Sequence, residues 1–166
     1  YFALNELALG DYRTFAKVSP PLRAEADRQA VVAAIADGTI DAIASDHAPH
    51  DQDSKRLPYA QAEAGAIGLE TTLALTLELV HGKHLSLADA LRRLAAAPAT
   101  ILGLDAGRLR RGGPADLALF APERAWKIRE AEFRSKSKNS PFDGRPVEGR
   151  VLRALVDGET VFRLGS

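Results

Sequence analysis

Residues 24–46 constrain the fold more than any other stretch. Ala30, Val31, Ala34 and Ile35 recur at the three- and four-residue spacing of one helix face, and Gly38 stands where a C-terminal cap belongs. The run Thr39-Ile40-Asp41-Ala42-Ile43-Ala44-Ser45 follows, short and mostly apolar, and ends on Asp46. Such a run predicts a strand covered on both faces. A helix over 24–37, a tight turn and a buried strand form the αβ half of an α/β unit.

The flanks agree with that reading. Residues 1–23 are irregular, and Pro20-Pro21 forbids a helix and imposes an extended approach. Residues 47–65 form a polar loop, longer than most connections and therefore a candidate functional loop. The spacing predicts a helix over 68–80, stopped near Gly82. Ser86-Leu87-Ala88-Asp89 is a capping box that starts a further helix, expected to run to residue 97 and to break at Pro98. Beyond residue 105 the character changes. Gly107, Gly112, Gly113 and Pro114 punctuate the chain, residues 116–120 read as a strand, and 151–156 with 159–162 flank Asp157-Gly158 as a β-hairpin. The expected division is an α/β part over 1–104 and a β-rich tail over 105–166.

Charge and composition exclude several classes. Lys+Arg and Asp+Glu number 22 each, so no net field favours a polyanion, and neither nucleic acid nor an acidic membrane is an expected partner. No apolar run approaches the roughly 20 residues of a membrane span. Cysteine is absent, which removes disulfides and thiolate metal sites. Methionine is absent too, so a longer polypeptide is expected. The basic clusters Arg108, Arg110, Arg111 and Arg134, Lys136, Lys138 read as solvated turns, and His81 with His84 reads as a solvated loop rather than a metal pair. Gly65-x-x-Gly68 is too short for a dinucleotide fingerprint.

Chemistry concentrates in Ser45-Asp46-His47-Ala48-Pro49-His50, directly after the expected strand. In α/β barrels, reactive residues collect at the C-terminal ends of strands. A carboxylate there can ligate a metal or move a proton, and a histidine four residues on can ligate or bind an anion. A capping aspartate beside two surface histidines fits the same spacing.

The motif Asp46-His47-Ala48-Pro49-His50 resembles one found in dihydroorotases, zinc enzymes of the amidohydrolase superfamily. Four further segments resemble the same family in order: Lys17-Val18-Ser19-Pro20-Pro21-Leu22-Arg23, Asp37-Gly38-Thr39-Ile40-Asp41, the stretch 63–70 with Gly65 and Gly68-Leu69-Glu70, and Ser135-Lys136-Ser137-Lys138-Asn139-Ser140-Pro141-Phe142. The resemblance implies the C-terminal portion of a (β/α)₈ barrel over 1–104, with 105–166 as the tail of a small composite β-sandwich. Two positions depart from the family pattern. Ser19 stands where the family carries a substrate-binding asparagine, and Tyr1-Phe2 where it carries paired histidines.

Carried over residue by residue, the resemblance implies that Asp46 ligates the metal and shuttles a proton, and that His50 binds the substrate carboxylate. Ser19, Ala64 and Gly65 would also touch substrate, Ala64 and Gly65 through backbone amides. One or two zinc ions are implied, with the other ligands expected upstream of Tyr1. Dihydroorotate or carbamoyl aspartate is the implied substrate, in a cytoplasmic enzyme of pyrimidine synthesis. Implied partners are the N-terminal remainder of the barrel and either a second copy or aspartate transcarbamoylase. The alternatives are another cyclic-amide hydrolase of hydantoinase or allantoinase type, and a non-catalytic scaffold.

Overall fold

The computed structural model describes residues 1–165, which fall into two compact units. One comprises Tyr1–Ile40, Ala44–Thr72 and Lys127–Arg145; the other comprises, among the described residues, Asp41–Ile43, Leu73–Trp126 and 146–165. These contact units interleave along the sequence.

In the first unit, helix α1 (Glu25–Asp37) ends as the sequence predicts, with Gly38 in the left-handed conformation at φ 95°. Its buried anchors are Val32 and Ile35, while Ala30 is exposed, so the packed face is rotated from the one the alanines suggest. The segment before it is irregular, with two 3₁₀ turns at Glu6–Leu9 and Thr14–Ala16. Side chains tie it to α1: Arg28 donates to the Phe2 carbonyl at 2.8 Å, and Asn5 donates to Glu25 at 2.7 Å.

The expected strand over 39–45 does not form. Among the described residues the neighbouring pairing is a single parallel bridge, His47 to Ala66, and Ile43 alone of the run is buried. A strand is a property of two backbones, since each needs the other's N–H and C=O groups. No described residue supplies a ladder beside 39–45. The polar loop contains a short helix, α2 (Gln52–Arg56), capped by Asp51 accepting from the Ser54 amide at 2.8 Å. Helix α3 (Thr72–His81) begins four residues later than expected, because Gly68 opens a turn whose carbonyl accepts from the Thr71 and Thr72 amides.

In the second unit, α3 buries Ala74, Leu75, Thr76, Leu77 and Leu79. The capping box forms: Ser86 accepts from the Asp89 amide at 3.0 Å, and α4 spans Leu87–Leu91. Pro98 does not end the helix. The chain widens into a π-helical turn at Arg92–Ala96 and continues as α5 (Ala97–Ile101), with Pro98 in its first turn. A wider turn moves the backbone carbonyls away from the ring, which would collide with residue i−4 in a regular helix.

The sheet has the order β1-β2-β3, with β1 at Leu117–Lys127, β2 at Pro146–Val156 and β3 at Glu159–Arg163. Both β1 and β2 are longer than the sequence pattern suggests. Pro122 lies inside β1, which is tolerated because β1 is an edge strand. The β2–β3 hairpin turns on Asp157 and Gly158, at φ 52° and 81°, the conformation a two-residue Asp-Gly turn requires. Among the described residues no helix is long and apolar enough to cross a membrane.

Candidate active site

All the sequence-selected site residues lie in the first unit. Asp46 has φ 43°, a left-handed conformation that costs a non-glycine residue about 1 kcal/mol or more. The residue is exposed. The Tyr1 phenol donates to the Pro20 carbonyl at 2.7 Å; burial first, and then the Asp46 charge, push its pKa above the ordinary tyrosine value.

His47 fastens the end of this segment to the Gly68 turn. Its Nδ1 accepts from the Gly68 and Leu69 amides at 3.1 and 3.4 Å, so a ring proton must sit on Nε2. The Ala48 amide donates to the Ala66 carbonyl at 2.9 Å, extending the same join. Gly68 itself approaches Ser45 closely: a Cβ there would stand 2.9 Å from the Ser45 carbonyl oxygen.

His50 lies three residues further along the same loop as His47, and it faces the loop that carries Ala64 and Gly65. Its Nε2 is 3.1 Å from the Ala64 carbonyl, which can only accept, so Nε2 carries the proton. The ring lies against the Cα of Gly65, where a Cβ would be 2.9 Å from His50 Nε2 and 2.8 Å from Ala48 Cβ. Gly65 has φ 136° and both its peptide groups are engaged. Its amide donates to the Lys17 carbonyl at 2.9 Å, and its carbonyl accepts from Lys55 and Asn139. The Gly65 amide is therefore committed inside the protein, whereas the Ala64 amide has no partner among the described residues. Ser19 is exposed, two residues beyond that Lys17 anchor.

Two residues that sequence reasoning passed over hold these loops. Lys55 is fully buried, and its ammonium donates to the carbonyls of Glu63 at 2.8 Å, Gly65 at 3.0 Å and Lys17 at 3.4 Å. Burial, then the nearby Lys17 ammonium, lower its pKa, and Glu63 opposes them. Lys17 donates in turn to the Tyr59 and Ala62 carbonyls. A lysine within a polar run carries no local sign of burial. The other residue is Asn139, 1% exposed, which bonds both loops. It lay in view within the segment 135–142, but as part of a tail read as scaffold.

Arg108 and Arg110 pair with Asp105 on the surface, and His81 faces Glu148 at 3.5 Å. Arg111, Arg134 and Lys136 are exposed, while Lys138 donates to the Phe133 carbonyl at 2.6 Å. No group of three or more His, Cys, Asp or Glu converges among the described residues. A catalytic zinc takes three protein ligands, so Asp46 by itself does not fit such an ion.

The sequence pattern of the Amidohydrolase family matches residues 14–161. The chain belongs to the amidohydrolase family. This amidohydrolase chain is 49% identical over 163 residues to a dihydroorotase of Anaplasma phagocytophilum, covering 98% of the chain and 36% of that protein. It is 47% identical to a dihydroorotase of Desulforapulum autotrophicum, again over 98% of the chain and 38% of the relative. In three dimensions it matches an L-hydantoinase (dihydropyrimidinase) from Arthrobacter aurescens with TM-score 0.92 and 31% identity, over the whole chain and 38% of that structure. The amidohydrolase chain thus spans somewhat over a third of the length of these relatives, and its fold is that part of a barrel amidohydrolase together with a three-stranded antiparallel sheet.

Proposed function

We propose that these residues belong to a dihydroorotase-type cyclic-amide hydrolase, which interconverts dihydroorotate and carbamoyl aspartate in the cytoplasm as part of pyrimidine synthesis. One observation carries the reading: the His50 imidazole is held against Ala64 and Gly65, four residues after a solvent-facing Asp46 in a strained conformation. In this proposal Asp46 accepts a proton from the attacking water and returns it to the departing amide nitrogen. His50 already donates Nε2–H to the Ala64 carbonyl, so Nδ1 is the ring atom left to face a substrate carboxylate. The Ala64 amide and the Ser19 hydroxyl complete the substrate contacts. Gly65 contributes by lacking a side chain, since its amide is committed to Lys17. Zinc would need ligands beyond those this chain brings together. Residues 1–104 are proposed as barrel and 105–166 as part of a composite β-sandwich. A second copy or aspartate transcarbamoylase is the proposed protein partner.

A hydantoinase-like activity is the second reading, favoured by Ser19, whose single hydroxyl offers fewer donors than an amide. Turnover of dihydroorotate by the intact protein, in competition with a hydantoin, separates the two. Asp46→Ala is expected to lower turnover roughly 10²–10⁴-fold while the protein stays folded by circular dichroism. Normal turnover in that variant removes Asp46 from the mechanism.

A further inference from the structure

We infer that Asn139 is a positioning residue for substrate binding, acting through the two loops it joins; the kinetic part of this inference rests on the cyclic-amide reading above. Its side chain is saturated as a donor. The two Nδ2 hydrogens go to the Ala48 carbonyl at 2.9 Å and the Gly65 carbonyl at 3.3 Å, and Oδ1 accepts from the His50 amide at 3.2 Å. Its main-chain carbonyl accepts from the Ile67 amide at 3.1 Å. One residue thus bonds positions 48 and 50 on one loop and 65 and 67 on the other. Among the described residues those loops also meet at the His47–Ala66 bridge with its Ala48 amide, the His47 ring contacts and the His50–Ala64 contact.

Geometry makes the amide specific. Facing it are the Ala48 carbonyl, the Gly65 carbonyl that it shares with Lys55, and the His50 N–H, and a carboxamide of this length supplies two donors and an acceptor to them at once. An aspartate in its place would match the shape but turn an acceptor toward both carbonyls. Because Asn139 fixes where the His50 ring stands relative to the Ala64 backbone without touching Asp46, its loss acts on binding before chemistry.

The test compares Asn139→Ala and Asn139→Asp in the intact enzyme, by kinetics and by hydrogen–deuterium exchange. Both variants should raise KM for dihydroorotate at least tenfold with kcat within about threefold. Both should speed amide exchange across 47–50 and 64–68 at least tenfold, with exchange in α1 unchanged. The aspartate variant should be as damaged as the alanine one. An aspartate variant that behaves like wild type would reduce the residue to filled volume and overturn the inference. So would unchanged exchange in the two loops, a fall in kcat with KM unchanged, or global unfolding of both variants. If the wild-type enzyme does not turn over dihydroorotate, the functional reading fails instead, and the exchange comparison still decides the role of Asn139.

Discussion

Gly65→Ala puts the tightest contact of the candidate site under test. At φ 136° an alanine occupies a region that L-residues rarely adopt, at a cost of about 1–3 kcal/mol. The added methyl would also stand 2.8 Å from Ala48 Cβ, although carbon atoms rest about 3.5–4.0 Å apart. Something must give by about 1 Å, and Ala48 has no rotamer with which to move. Its amide is held by Ala66 at 2.9 Å and its carbonyl by Asn139 at 2.9 Å, so retreat breaks one of those bonds. The His50 ring, 2.9 Å away at Nε2, can swing, but then loses Ala64. Overpacking of this kind costs about 1–3 kcal/mol, and the lost hydrogen bond about 1 kcal/mol. Reduced freedom in the unfolded chain returns about 0.4–1 kcal/mol. The net expectation is a loss of about 2–6 kcal/mol in urea unfolding. Gly103→Ala is the control: its φ is 66°, with nothing within 4 Å of the added carbon, so it carries the backbone cost alone. Equal losses in the two variants, or a loss below about 1 kcal/mol at Gly65, would refute the packing argument.

Two further outcomes follow from the charged groups. Lys55→Met removes the donor shared by three carbonyls, two of which keep another partner, and should cost about 1–3 kcal/mol in the same assay. Because burial holds the Lys55 pKa below its ordinary 10.5, the unfolded chain binds more protons just below that pH. The Lys55 contribution to stability therefore rises with pH through that window. A stability difference between wild type and Lys55→Met that stays flat there would contradict the assignment. Glu25 runs the other way. Hydrogen bonds from Arg28, then Gln29 and Asn5, lower its pKa from 4.5 to about 2, so its stabilisation is full above 4.5 and is lost as pH falls toward 2. A carboxyl ¹³C titration should find that low midpoint, and Glu25→Gln should flatten the acid limb of the stability curve slightly, since the group is exposed and screened by salt. A midpoint near 4.5 would show the Asn5–Glu25–Arg28 cluster absent in solution.

What the sequence made legible, and what it hid, divides by the range of the interactions. The Gly38 cap, the Ser86 capping box and the Asp157-Gly158 turn close over a few residues, so their chemistry is written in neighbouring letters. Asp46 and His50 stand out as candidates for a related reason, as a compact motif after an apolar run. The strand over 39–45 was misread because periodicity reports which side chains can be buried, not whether a second backbone lies alongside. Pro98 reads as a stop in the sequence because the π turn that accommodates it has no local marker. The role of Asn139 is the least legible, since the side-chain contacts of this residue, visible in the segment 135–142, reach 74 to 91 residues back along the chain, and no spacing rule extends so far. Lys55 is similar in kind: its three carbonyl acceptors lie 8, 10 and 38 residues away, and carbonyls are the one feature every residue shares. A site built from backbone acceptors leaves little trace in side-chain identity except at the donor. The residues that hold such a site are thus found by asking which buried donors the backbone requires, and here that question leads to Lys55 and Asn139, both of which end on the carbonyl of Gly65.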